Sequence, residues 1–485
     1  MKKTHLQSAL LSTLFIVAPC MASDSSAPEN LGLRLPLWSI IPFAGILLSI
    51  ALFPLFGQKN ASVEKFWYRH FGEVSAFWGL LMAVPFVIGF GQSAFYQLKH
   101  VMLIDYFPFI ILLLALYTVS SGILVEGHLK GTPAMNALLL VIGTAIASWM
   151  GTTGASMLMI RPLLRANTHR RNKAHVVVFF IFLVSNIGGA LTPLGDPPLF
   201  LGFLHGVPFF WTLRLLPIMA FTVAVVLSVF IVLDTILYRR ELAVNDSLRS
   251  LHDEKTKVRI VGSHNFIFLV GIVGTVLMSG ILELGEWNVF GVTLSIQNIL
   301  RDAILFILVV LSFKFTRKEI HQRNEFTWRP IEEVAVLFAG IFVTIIPAIL
   351  MLKAGTEGPM GFILRAVKNP SHYFWAAGGL SSFLDNAPTY LTFFNTALGS
   401  FYAGMPEPQA VSNLIAEKAV YLKAIAAGAV FMGANTYIGN APNFMVKAIA
   451  EEKRWGVRMP HFFGYMGYSL AILIPTFILV TLIFF

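Results

Sequence analysis

The chain has 485 residues, 56% of them hydrophobic and only 12% charged, with a formal net charge of +10. A soluble domain carries about 25% charged residues, so this composition belongs to a membrane protein. Apolar runs of about 20 residues, long enough to cross a hydrocarbon core, recur from Leu37 to Phe485 and leave no stretch for a separate soluble domain. The basic residues are scattered among short loops between these runs, which speaks against a nucleic-acid surface and for membrane topology.

The first residues read as a signal peptide over 1–22: Lys2 and Lys3, an apolar run from Leu10 to Ala18, then small residues near Ala22 before a polar Ser23-Asp24-Ser25-Ser26. The alternative is an uncleaved extra helix. Cys20, the only cysteine, lies in this segment, so a cleaved protein has no thiol chemistry and no disulfides. Hydropathy then predicts spans at about 37–56, 72–91 and 104–126. The next apolar region, 133–164, is centred on Gly151-Thr152-Thr153-Gly154 and leaves through Arg161, Arg165, Arg170, Arg171 and Lys173. That pattern predicts a hairpin that turns at mid-membrane.

With both ends of this hairpin cytoplasmic, an interrupted span at 174–205 goes out and one at 212–238 returns. The basic loop 241–263 is then inside, as the positive-inside rule asks. Spans at 264–284, 299–316 and 332–352 follow, with Glu283 and Glu286 outside and Lys314, Arg317, Lys318, Arg323 and Arg329 inside. A second hairpin at 372–400 must therefore enter from the periplasm, before an interrupted helix at 420–450 and a last span at 461–484. The predicted fold is an all-α membrane protein of about ten transmembrane helices and two re-entrant hairpins, arranged as inverted repeats at 23–240 and 264–485 with one broken helix each. Such repeats place a binding site near the midplane. Cysteines introduced at Asn245 and Arg323 should be labelled only from the cytoplasm, and one at Glu286 only from the periplasm. Periplasmic labelling at Asn245 would overturn the arrangement.

Four segments interrupt apolar runs with polar residues, glycine and proline: 151–154, 185–198, 381–389 and 433–443. Irregular backbone facing lipid costs several kcal/mol per unpaired group, so these segments must line protein or a water cavity. They supply the candidate ion- or substrate-binding residues Thr152, Thr153, Asn186, Thr192, Asp196, Ser381, Asp385, Asn386, Thr389, Asn435, Thr436 and Asn440. Hard oxygen ligands suit sodium, with Asn186, Asp196, Asp385, Asn386 and Asn435 as its candidate ligands. Asp196 and Asp385 matter most, because intramembrane carboxylates are expensive and a poorly hydrated carboxylate can exchange a proton for a cation. The competing structural roles are helix caps, and Asp196-Pro197-Pro198 is itself a good helix start.

Through Asn186-Ile187-Gly188-Gly189, Gly195-Asp196-Pro197-Pro198 and Phe383-Leu384-Asp385-Asn386-Ala387-Pro388-Thr389, the chain resembles the ion transporter superfamily. That superfamily includes D-type sodium/proton antiporters, arsenite-efflux permeases and citrate or dicarboxylate carriers. The resemblance covers nearly the whole mature chain. It implies that Asn186, Thr192 and Asp196 serve one half-site, and Asp385, Asn386, Thr389, Asn435 and Thr436 the other. Antiporter-like members carry an Asp-Asn pair in the first hairpin too, where this chain has Thr152-Thr153. Neutral tips suit carriers that bind an anionic carboxylate together with sodium.

The leading expectation is a secondary sodium/proton antiporter of the bacterial inner membrane, with Na+ and H+ as its ions and no cofactor. The alternative is a sodium- or proton-coupled citrate- or dicarboxylate-type carrier, and the competing class is a membrane-embedded enzyme. The chain lacks a Walker loop, a His-Glu-x-x-His and a Gly-x-Ser-x-Gly turn. An aspartyl-protease Gly-x-Gly-Asp motif also fails, because Pro193 precedes Leu194-Gly195-Asp196. Expected partners are the lipid bilayer, small ions or small organic anions, no nucleic acid, and a second copy in a homodimer. Trp67, Trp78, Trp211, Trp287, Trp328 and Trp455 read as interface anchors, the histidines as bland loop and span-end residues, and Glu332 and Glu333 as acids at a helix start.

Overall fold

The computed structural model describes residues 31–57, 60–127, 129–243 and 258–485. The signal-peptide segment, Cys20 and Asn245 lie outside the described residues. Chain order begins with α1 (Ile41–Gly57), α2 (Ala61–His100), a π-helical turn at Val101–Tyr106 and α3 (Phe107–Ser121). The two spans expected at 72–91 and 104–126 thus lie in one helical run, divided where Gly91 takes φ 53° and ψ −124°. Only glycine adopts that conformation at little cost.

After strand β1 (Leu124–Gly127), α4 (Pro133–Met150) and α5 (Thr152–Ala166) form the first helix-turn-helix, turning at Gly151 with φ 80°. An interrupted helix follows as α6 (Ala174–Leu183) and α7 (Pro197–Leu204), and then α8 (Leu216–Leu242). In the second half, β2 (Val258–Val261) pairs antiparallel with β1, ahead of α9 (Asn265–Ile281). A hairpin of β3 (Glu286–Val289) and β4 (Val292–Ser295) leads to α10 (Ile296–Phe315) and the short α11 (Lys318–Arg323). The pair α12 (Arg329–Thr344) and α13 (Ile346–Lys353) is bent by 41°. The second helix-turn-helix is α14 (Pro370–Ser381) and α15 (Asn386–Phe401), followed by α16 (Glu407–Glu417). The second interrupted helix is α17 (Ala419–Met432) and α18 (Ala441–Ala450), and α19 (Phe462–Phe484) closes the chain.

The protein is an all-α membrane protein. Seven helices among the described residues are long and apolar enough to cross a membrane, or eight with the bent pair as one span. The expected ten include two spans that share the run 61–121, and two segments, 265–281 and 419–435, that are individually short.

Hydrophobic burial divides the helices into two bodies. One core unites α4 to α6, α8, α14, α15, α17 and α19; a second unites α1 to α3, α9, α10, α12 and α13, with α7 at the boundary. The first body is termed the core and the second the scaffold. Helix α6 shows why the core is protein-lined: its residues 175–183 are all buried, and a helix apolar on every side needs neighbours all round. In the scaffold, α2 packs on α12 and α10 on α3, while in the core α5 packs on α18 and α15 on α7, so each helix-turn-helix leans on the other half's interrupted helix.

The open end of the first helix-turn-helix is closed by a buried polar network. Arg170 Nη1 lies 2.6 Å from Asp234 Oδ1, and His175 Nε2 lies 2.8 Å from the same oxygen. Asn136 Nδ2 donates to Asp234 Oδ2 at 3.0 Å. His175 stands at the start of α6, as expected of a span-end histidine, and is buried as a structural partner of Asp234. Trp67, Trp211 and Trp455 are also buried, and Trp67 stacks on Phe53 at 5.4 Å. They are packing residues, whereas Trp287 and Trp328 are exposed as interface anchors would be. An indole serves both purposes, which is why the sequence does not separate them.

Candidate functional site

Each helix-turn-helix is pinned to an interrupted helix by a corresponding set of bonds, except that Ser148 accepts from a backbone N–H and Ser382 from a side-chain amide. In the first half, Ser148 Oγ donates to Gly188 O at 2.5 Å and accepts from Leu191 N at 3.1 Å. The Thr192 hydroxyl donates to Ser148 O and accepts from Leu194 N. In the second half, the Ser382 hydroxyl shares its proton between Gly378 O at 2.8 Å and Met432 O at 3.1 Å and accepts from Asn435 Nδ2 at 2.9 Å. Thr436 Oγ1 donates to Ser382 O at 2.5 Å and accepts from Ile438 N at 3.2 Å. The backbone repeats as well: Asp196 has φ −148° and ψ 142°, Asn440 φ −154° and ψ 138°.

This correspondence sets the register of the two tips. Gly151-Thr152 is the counterpart of Asp385-Asn386, and Asp196 of Asn440. The first tip therefore opposes Thr152, not Thr153, to Asn386. Thr153 is half-buried in the next position of α5.

The center of the site is the Asp196 carboxylate, 1% exposed. Its Oδ1 accepts from Thr152 Oγ1 at 3.0 Å and Asn440 Nδ2 at 3.3 Å, and its Oδ2 from Asn386 Nδ2 at 2.5 Å. Both halves thus converge on one carboxylate. Asp196 is the N-cap residue of α7, yet its side chain makes no capping bond, so the helix-start role read from Asp-Pro-Pro does not consume it. Asp385 does cap: its Oδ1 accepts from Ala387 N at 3.0 Å. Asp385 is linked to Asp196 through the next residue, Asn386, whose amide donates to it.

The other predicted residues divide into those that hold the frame and those beside the center. Asn186 Nδ2 donates to Asn443 Oδ1 at 2.7 Å, and its Oδ1 accepts from Asn440 Nδ2 at 3.2 Å. Ser381 donates to Ala429 O and Thr389 to Asp385 O. With Thr192 and Thr436, these hydroxyls are spent on backbone carbonyls. Asn386 and Asn435 differ, since each keeps a buried amide oxygen without a partner.

Sequence reasoning missed Ser148, Ser382 and Asn443 as site builders. Asn443 Nδ2 donates to Gly433 O at 2.8 Å and Thr436 O at 2.9 Å, holding the second break open. A serine inside an apolar helix is unremarkable alone. The signal that finds Ser148 and Ser382 is their matched position before two equivalent tips.

Four helix N-termini meet here: α5 at Thr152, α7 at Pro197, α15 at Asn386 and α18 at Ala441. Such ends present backbone N–H groups and partial positive charge to an anion. The side chains bonded to Asp196 are all neutral, so its charge has no basic counterpart among them. An unpaired buried carboxylate costs several kcal/mol. The arrangement can therefore hold a cation or proton at Asp196 with the free amide oxygens nearby, and carboxylate groups at the helix ends.

No curated protein matches the chain. A family model described as "putative citrate transport" matches residues 32–485. That match takes in both interrupted helices, both tips and the scaffold, and the chain belongs to this citrate transport family of membrane transporters.

Proposed function

We propose that the protein is a secondary carrier of citrate-type di- or tricarboxylates in the bacterial inner membrane, driven by a sodium or proton gradient. The observation that carries this reading is the single Asp196 carboxylate shared by both halves, ringed by neutral donors and faced by four helix N-termini. A polycarboxylate brings negative charge to a place already holding Asp196, and a coupling cation or proton there removes the repulsion. The helix ends and amides then receive the substrate carboxylates. The family favours this reading over sodium/proton antiport. Uptake of labelled citrate into proteoliposomes, under an imposed sodium gradient and separately under a proton gradient, tests it. Uptake that ignores both gradients, or no uptake at all, would refute it.

Antiport stays as a second reading because Asp385 directly precedes Asn386, a donor to Asp196, and neither carboxylate is bonded to a basic partner. The Asp385→Asn protein separates the two. Under anion carriage the amide still accepts the Ala387 N–H bond, so folding is kept, and sodium dependence weakens more than citrate affinity, by about tenfold against threefold. Under antiport, sodium-driven proton movement is abolished and citrate has no effect on it.

A further inference from the structure

The strongest feature outside the center is a charged cluster that ties core to scaffold. Asp105 lies in the π-helical turn between α2 and α3, and Lys353 ends α13; both belong to the scaffold. His205 follows α7 at the boundary and precedes Val207, which is buried in the core, and Glu407 opens α16, whose Ala410, Val411 and Leu414 are buried there too. His205 Nε2 is 3.2 Å from Asp105 Oδ1, and Lys353 Nζ is 2.6 Å from Glu407 Oε2, so two ion pairs cross the boundary. A third, His205 Nδ1 to Glu407 Oε1 at 2.5 Å, joins the two halves of the core. The His205 side chain is only 10% exposed, and Phe394 packs beside it at 6.0 Å. This cluster lies at the end that the basic-loop count assigns to the periplasm.

At the opposite end Glu325, in the scaffold loop before α12, reaches Arg161 of α5 at 3.1 Å and Arg454 of the loop after α18 at 2.6 Å. Core and scaffold are therefore bridged at both ends. Movement of one past the other has to break at least one bridge.

We propose that the His205 cluster is a periplasmic latch, opened when the core shifts against the scaffold, and that opening it, by taking Asp105 away, weakens the hold of His205 on its proton. The inference rests on the transporter reading only in requiring that the two bodies move. His205 caps the C-terminal end of α7 and lies outside the apolar helical spans 174–191 and 209–242. Burial by itself would lower its proton affinity, but the carboxylates of Glu407 and Asp105 outweigh burial and hold its pKa up at about 10. Glu407 is held low: burial opposes ionisation, but His205 and Lys353 prevail. His100 of α2 also faces the cluster and senses Asp105, Glu407, Lys353 and His205. Opening takes Asp105 away but leaves the Glu407 pair, so the open histidine holds its proton less tightly than the latched one and more tightly than a free imidazole. The latch contribution is therefore complete while the open histidine is still protonated and is lost as pH rises toward about 10. Alkaline pH thus favours the open form.

The test reads conformation without substrate. Spin labels at Glu286→Cys and Ala403→Cys, in a Cys20→Ser background in nanodiscs, report the separation of scaffold and core at pH 6 and pH 9. The closed-to-open ratio should fall at least fivefold between these values in the wild type, the lower end of a conformational coupling. His205→Gln should be open at both, His205→Arg closed at both, and Lys353→Met shifted toward open at pH 6. A pH response that survives in His205→Gln, or a wild type whose distances do not change, would overturn the latch. Failure of citrate uptake would leave these distances unaffected, so the two readings fail separately.

Discussion

Asp196→Asn lowers gradient-driven citrate uptake at least a hundredfold while the protein still folds. The carboxylate accepts from Thr152, Asn440 and Asn386. An amide keeps its shape but turns one of its two ends into a donor, so at least one neighbour is left facing a donor. That mismatch costs about 1–3 kcal/mol, which a domain stable by about 5–15 kcal/mol survives. The functional loss is larger, because the amide no longer carries the charge that holds a coupling ion. A differential of about 3 kcal/mol between loaded and empty states is already about 150-fold. Uptake in proteoliposomes and melting of the purified protein, measured side by side, check the two parts. Uptake within threefold of wild type would show that Asp196 is not where coupling is held.

The two tips and two breaks were legible because Gly, Pro and Asn interrupt runs that are otherwise apolar. Lipid tolerates no such interruption, so the sequence there has a single reading. The chemistry at the tips was legible only in part. Asp196 and Asp385 stand out by type alone, but whether a carboxylate caps its own helix depends on which way it turns. Asp385 turns onto Ala387 N and Asp196 turns to the other half of the chain. No local pattern encodes that choice. The tip register was also displaced by one, since Thr152-Thr153 resembles a polar pair while the pinned serines match Gly151-Thr152 to Asp385-Asn386. His205 was illegible for another reason. Its partners come from positions 105 and 407, on two further elements, with Lys353 bonded to Glu407 from a third, so only tertiary contact turns a loop histidine into a charged bridge.

Gly195→Ala and Gly439→Ala should each remove about 3 kcal/mol or more of stability, the upper end of ordinary overpacking. A Cβ on Gly195 would stand 2.1 Å from Gly189 O and 2.9 Å from Ser148 Cα. One on Gly439 would stand 2.6 Å from both Gly433 O and Ser381 O. All of these are backbone atoms, and the hydroxyls of Ser148, Thr192, Ser382 and Thr436 pin that backbone in place. A flexible side chain could swing away, but a doubly bonded loop cannot. The Gly195 carbonyl also accepts from Thr152 N at 2.9 Å, so displacing it moves the first tip and with it the Thr152 hydroxyl on Asp196. Uptake should therefore fall together with stability. Gly467→Ala in α19 is the control, because nothing lies within 4 Å of its Cβ; alanine in a helix is favoured over glycine by about 0.5–1 kcal/mol. Melting temperatures in detergent, followed by size exclusion after heating, order the three proteins. A Gly195→Ala protein that melts with the wild type would mean that the pinned seam yields, and that the close approach of tip and break is not what shapes the site.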